Sequence, residues 1–253
     1  MKQRFGLSGY QLKMIAIVFM FLDHVYMHVT SPIGGHPEFV IFDILSRFVS
    51  PLFLFLMVEG FFYTRSRKKY FTRLIMASII MAIGNVITHL IMHTSINIYT
   101  ILNPNIFLSL AGGFGIIWIL NTILENKNWW LIIPLIVVSM LTLFTEASFE
   151  TVLLSYFMYA ARKTDKKWLS YIGLIFISLF SLQGILSLPS TSGSLWVNLL
   201  GNTSVFVFTT IPFIYLYNGK KGGKGTQFEK NFFYAFYPIH IWVLYIIGQL
   251  LIH

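Results

Sequence analysis

The sequence predicts an all-α, polytopic transmembrane helix bundle, and three observations carry that prediction. Hydrophobic residues make up 56% of the 253 and charged residues only 11%, with a mean hydropathy of +0.73. A soluble domain of this composition would lack the polar surface it needs. Apolar runs of membrane-crossing length recur between short polar breaks. The period-2 alternation of barrel strands is missing, which leaves helices to satisfy the backbone inside lipid. The chain has no cysteine, so disulfide and thiolate chemistry are excluded.

Hydropathy divides the chain into about nine spans of roughly 20 residues each. The first, Gln11 to Thr30, follows the positive stretch "MKQRFGLSGYQLK" as a signal peptide would. No small-residue cleavage site follows, because "DHVYMHV" stands in its place, so this helix is expected to be retained. The second runs from Ser46 to Thr64, and Pro37 to Leu45 before it reads as a separate helix at the interface. Then come Leu74 to His93, Asn105 to Leu124, Trp129 to Thr145, a short sixth span from Phe149 to Ala161, Trp168 to Leu188, Leu195 to Tyr217, and Asn231 to Ile252. Neither an internal repeat nor a second domain is visible, so residues 1–253 read as one transmembrane domain.

Orientation follows from Lys and Arg, which accumulate in cytoplasmic loops. With the N-terminus cytoplasmic, "KQR", "RSRKKYFTR" (Arg65 to Arg73), "ENKN", "RKTDKK" and "KKGGKGTQFEK" all fall on the inner side. The outer loops "TSINIYTILNPN" and "LPSTSGS" carry no Lys or Arg, and Arg47 alone breaks the pattern. The formal net charge of +9 thus faces anionic lipid as topology and does not indicate nucleic acid. The expected location is a cell membrane, multi-pass, of the bacterial inner type.

Ionisable groups inside spans cost at least ~2.5 kcal/mol on insertion scales, so Asp23, His24 and Glu59 should face the bundle interior with partners. His24 and His28 share a helix face, as do His89 and His93, whereas Asp23 points about 100° away from His24. Such i, i+4 histidine pairs are able to hold a metal. Each group also has a structural reading. His28, His89 and His93 lie where interfacial water is available, Asp23 suits Arg47 or a histidine as a partner, and Glu59 suits Arg65 or Lys69. In the last span Pro238 frees a backbone carbonyl one turn earlier, and His240 sits at that kink. His24 combines depth, a neighbouring carboxylate and a titratable imidazole.

Four segments, "LSGYQLKMIAIVFMFLDH", "LSRFVSPLFLFLMVEGFF", "NPNIFLSL" and "FFYAFYPIHIWVL", resemble in order the segments of the TraX family, membrane proteins named for amino-terminal acetylation of F-pilin. The resemblance spans most of the chain. It lies in Lys13 with Asp23–His24, in Arg47 followed by Phe48 and Pro51-Leu52-Phe53, and in the Tyr237-x-x-His240 of the last helix. That family is similar to a larger group of transmembrane acyltransferases, from which this chain departs by Lys13 in place of arginine and by Glu59 before Gly60. The resemblance implies an acetyl-CoA-dependent N- or O-acetyltransferase. Its acceptor would be a peptide or pilin amine, or a glycan hydroxyl, on the extracytoplasmic side, and no metal is expected.

On that reading, phosphates of acyl-CoA would sit at Lys13, Arg65, Arg67, Lys68 and Arg73. The thioester would then reach His24, ~16 Å further along the helix from Lys13. His24 would act as general base, Asp23 or Arg47 would orient it or the acceptor, and His240 or Asn105 would stabilise the oxyanion, with Glu59 lining the substrate side. Attack by His24 itself to give an acyl-histidine is the variant of this scheme. Two other classes stay open: a zinc-dependent intramembrane hydrolase with His24, His28, His89 and His93 as ligands, and a transporter with a proton relay.

Overall fold

The computed structural model describes residues 6–30, 40–188, 198–199 and 202–252, apart from the side chains of Val40 and Lys230. Among these, helices account for the regular structure. They are α1 (Gly9–Val25), α2 (Val40–Ser46), α3 (Val49–Tyr63), α4 (Arg67–Ile91), α5 (Ile98–Leu102), α6 (Ile106–Asn126), α7 (Ile132–Thr142), α8 (Ser148–Thr164), α9 (Trp168–Leu186), α10 (Ile211–Leu216) and α11 (Gln227–Ile252). A π-helical turn, Tyr26–Thr30, continues α1, and a 3-10 stretch, Thr203–Thr210, leads into α10. The chain divides into two compact units, one made of Met1–Leu52 with Leu174–His253 and the other of Phe53–Gly173.

In the first unit, α1 starts at a capping box. Ser8 Oγ accepts the Gln11 N–H, while Gln11 Oε1 accepts the Ser8 N–H at 2.9 Å, so two of the helix's orphan donors are satisfied. The residues ahead of α1 are bonded to those ahead of α11: Leu7 N–H donates to the Leu216 carbonyl at 2.8 Å and Asn218 N–H to the Leu7 carbonyl at 3.0 Å. Both helices therefore start at one end. They run side by side in the same direction, as the ascending ring pairs Tyr10–Phe233, Phe21–Phe236 and His28–Tyr245 show, with centroids 6.0, 6.5 and 6.1 Å apart. Near the far end Gly248 lies against the His28 carbonyl so closely that any Cβ would collide with it. That approach brings α11 onto the π turn.

The second unit is organised around α6, which packs on α4, α7 and α8. Small residues permit this, as they do between membrane helices generally: a Cβ at Gly112 would strike Thr142, and one at Gly113 would meet Ser155 Oγ and Leu54. Asn105 caps α6 by accepting the Leu108 N–H at 3.2 Å and donates through Nδ2 to the Ser78 carbonyl of α4 at 3.0 Å. The outward side of α7 is apolar, with Ile133, Met140 and Phe144 exposed. On a membrane protein such a face meets lipid, and exposed Trp129 and Trp130 ahead of it suit the headgroup level.

Each of the nine predicted spans carries a helix, and among the described residues six helices are long and apolar enough to cross a membrane. The fifth and eighth predicted spans become the shorter apolar helices Trp129–Thr142 and Thr203–Leu216, and the sixth becomes α8, of 17 residues. At ~1.5 Å per residue these fall short of a ~30 Å hydrocarbon core unless flanking residues complete them. The start of the eighth, from Leu195, lies outside the described residues except for 198–199, as do "KQR" and most of "LPSTSGS". The expected interfacial helix Pro37 to Leu45 is described from Val40 onward. It is α2, broken from α3 only at Arg47 and Phe48, so that Ile41–Tyr63 forms one span of crossing length.

Candidate functional site

His24 is buried on α1 and His240 is buried on α11. Their rings stack with centroids 4.9 Å apart, and His24 Nδ1 lies 2.7 Å from His240 Nε2. The other ring nitrogen of His240, Nδ1, is 2.7 Å from the Phe236 carbonyl. A carbonyl only accepts, so His240 Nδ1 carries the proton. In the neutral ring Nε2 is then the acceptor, and His24 must donate to it through Nδ1–H. Nε2 of His24 is left with the lone pair. The contact thus determines both ring orientation and tautomer, as an orienting partner does for a catalytic histidine.

The rest of the pocket is aromatic. Phe236 stacks on His240 at 4.7 Å, and Tyr237 and Phe21 lie within 6.2 Å of a histidine ring. His28, one turn beyond His24, has its ring centroid 5.9 Å away, and its Nε2 is buried without a hydrogen bond among the described residues. The π turn carries His28 and begins two residues after His24; such single wide turns often mark sites where a helix re-aims its side chains.

His240 is in hydrogen-bond contact with His24 Nδ1, where sequence reasoning offered Asp23 or Arg47 as the orienting group. It is not suited to the oxyanion role, because in the neutral pair its one N–H is held by Phe236. Nor does it bond the carbonyl freed by Pro238, which is that of Tyr234; its partner is the next-but-one carbonyl. Asp23 is half-buried beside His24 in sequence. Arg47 forms its ion pair with Asp43, one turn back, and Asp43 also accepts from Thr203 Oγ1 at 3.2 Å. Asp43 went unremarked in the sequence because an acid at the head of a short helix reads as interfacial. Lys13, half-buried on α1, holds its Nζ 5.1 Å from the Phe233 ring centroid.

The remaining candidates belong to the second unit. Glu59 pairs with Arg162 of α8, Oε1 to Nε at 2.9 Å, and not with Arg65 or Lys69. Arg162 lies over the rings of Phe62 and Tyr63 at 5.2 and 5.4 Å. Asn105 has its side-chain oxygen committed to the cap, gives one Nδ2 hydrogen to Ser78, and donates its N–H to Glu146 Oε2 at 2.6 Å. Arg67 lies over Phe61 at 4.3 Å and 4.0 Å from Glu125. Arg65, Lys68 and Arg73 are exposed. His89 bonds Thr94 Oγ1 at 2.6 Å and His93 is exposed past the end of α4. Among the described residues no group of three or more His, Cys, Asp or Glu is arranged to hold a metal.

Parallel buried helices, a hydrogen-bonded histidine pair between them and apolar outer faces define a multi-pass membrane protein with a polar centre inside its spans. Residues 8–248 match the family described as TraX protein, and the chain belongs to that family. It is also 36% identical over 80 residues to the "Probable fimbrial assembly protein FimC, serogroup H1" of Dichelobacter nodosus. That match covers 32% of this chain and 32% of the relative, so about a third of the relative's length is spanned. No solved structure matches.

Proposed function

We propose that the chain is a membrane acyltransferase that moves an acetyl group from acetyl-CoA to an amine or hydroxyl acceptor presented across the membrane, in the setting of pilus or fimbrial assembly. Family membership and the name of the fimbrial relative support the setting. The observation that carries the chemistry is the His24–His240 pair, which leaves His24 Nε2 unprotonated among aromatic rings.

In the reaction the acceptor's nucleophilic nitrogen or oxygen attacks the thioester carbonyl while His24 Nε2 takes its proton. Positive charge passes onto an imidazole already held by His240. Arg47, held by its ion pair with Asp43, is the cation proposed to offset the negative charge that develops on the carbonyl oxygen. Collapse of the tetrahedral intermediate breaks the C–S bond, and the proton on His24 goes to the departing thiolate. The products are acetylated acceptor and free CoA. Asp23, adjacent to His24 in sequence, is left to position the acceptor.

The test is direct. Membranes holding the chain and supplied with radiolabelled acetyl-CoA should pass label to a peptide amine or a glycan hydroxyl, which digestion and chromatography identify. Equal labelling of membranes holding His24→Ala would sink the reading. Metal-dependent hydrolysis of a membrane peptide with no acetyl transfer would replace it by the hydrolase.

A further inference from the structure

We propose that the loop "NGKKGGKG", Asn218 to Gly225, forms with Lys13 a phosphate-binding site for the nucleotide end of acyl-CoA, an inference that rests on the acyltransferase reading. The loop is built against the start of α1. Lys220 and Lys221 spend their carbonyls on the N–H groups of Gly9 and Tyr10, both at 2.9 Å. Gly222 and Gly223 have φ of +67° and +69° and press on Ser8 and Tyr10 so closely that a Cβ at Gly222 would collide with Ser8. Only glycine meets both demands, the positive φ and the missing side chain. The result is a chain path pinned to the helix start, with the Lys220, Lys221 and Lys224 side chains exposed.

Charge points to an anion here. The Lys221 carbonyl is bonded to the Tyr10 N–H, three residues before half-buried Lys13, and no carboxylate forms an ion pair with Lys13, Lys220, Lys221 or Lys224 among the described residues. Glu229 lies beside Lys224, but its carboxylate is taken up by the backbone N–H groups of Lys224 and Gly225 at 3.0 and 2.7 Å. Like charges carried on one short loop beside the start of α1 repel one another, and a multivalent anion relieves that repulsion. The first amides of α1 are already occupied, so the site offers ammonium groups and not a helix end. Positive-inside bias accounts for lysines in this loop; it does not account for Gly222 and Gly223, which pack it onto the start of α1.

Placement supplies the ligand class. Lys13 and His24 are eleven residues apart, which on an α-helix is ~16 Å and only about 20° of rotation. The charged cluster therefore lies on the same face of α1 as the basic nitrogen's residue. Phe233 and Phe236 of α11 lie beside the two ends of that path. A pyrophosphate held at the loop puts a pantetheine arm, running along α1, within reach of His24. Inorganic or lipid phosphate shares the headgroup chemistry but lacks the arm.

The test uses the full chain in nanodiscs of neutral lipid, with acetyl-CoA and adenosine 3′,5′-bisphosphate as probes in calorimetry. Replacing Lys220, Lys221 and Lys224 together by Gln should weaken both probes by about tenfold or more. Replacing them by Arg should restore binding, and His24→Ala should bind like the parent. Unchanged acetyl-CoA affinity in the Gln variant, with a parent that binds, overturns the loop assignment and leaves the acyltransferase reading intact. A parent that binds neither probe removes that reading itself. If the Gln variant loses only its retention of phosphatidylglycerol, measured by native mass spectrometry, the phosphate belongs to lipid and the proposal is overturned.

Discussion

The two units each carry ionisable groups inside helices, and they resolve that cost in opposite ways. In the second, Glu59 meets the full positive charge of Arg162, which is itself laid over two aromatic rings. Its electrostatics are closed. In the first, two neutral imidazoles donate in series, His24 to His240 and His240 to a carbonyl, so each hydrogen bond of the pair is made and the Nε2 of His24 remains over. A buried charge is thus not itself the mark of a chemical site. The mark is a network that is satisfied except at one titratable atom.

Removing that atom should have the largest effect. His24→Ala is expected to lower acetyl transfer at least ~10²-fold, the scale of losing a general base, while acetyl-CoA binding persists, since the phosphates sit far along α1. His28→Ala should cost much less. Comparable losses for the two, measured in purified protein, would mean that the site is a shared cluster and not a pair.

His240→Ala should cost roughly tenfold, less than His24→Ala, because the base survives but its tautomer and orientation are released. His240→Gln should recover part of that, since an amide oxygen can accept from His24 Nδ1–H. The His24→Ala/His240→Ala double variant should transfer no more slowly than His24→Ala alone, as residues acting as one unit do. Additive losses would give His240 an independent role.

Gly248→Ala probes the same unit from its backbone. The added methyl must displace the π turn or α11, so transfer should fall a few-fold and thermal stability by about 1–3 kcal/mol, the usual cost of overpacking. Wild-type behaviour in both would separate the π turn from the site.

The smallest effect on transfer belongs to Glu59→Ala, expected to change it less than about twofold. Its signature is stability: Arg162 loses its partner, at a cost of about 1–3 kcal/mol, and adding Arg162→Met should recover much of it. A large fall in the catalytic rate of Glu59→Ala at intact folding would move the second unit into the chemistry.

Helices and candidate histidines were legible in the sequence because hydropathy and the cost of intramembrane charge are local properties. Partners were not. His24 and His240 stand 216 positions apart, and Glu59 finds Arg162 on a helix whose basic end read as a topology signal. Periodicity places side chains on faces of their own helix and says nothing about which helix comes alongside. Asp23 drew attention by adjacency to His24, yet adjacent helical residues diverge by about 100°, so adjacency in sequence did not reveal the contact from His240. The loop at Lys220 to Gly225 was passed over for another reason: the positive-inside rule explained its charge fully, and only the close packing of Gly222 on Ser8 showed a shape as well.

The pairing of α1 with α11 has a consequence for how the protein is made. The helix that bears His24 leaves the ribosome well before the helix that bears His240. At ~5–20 residues per second, roughly 10–40 s separate the synthesis of His24 from that of His240. Throughout that interval the imidazole of His24 lacks its partner, and a chain stalled or misinserted before α11 carries a base with no defined tautomer. The proposed base and its hydrogen-bond partner therefore meet only once α11 has been inserted beside α1.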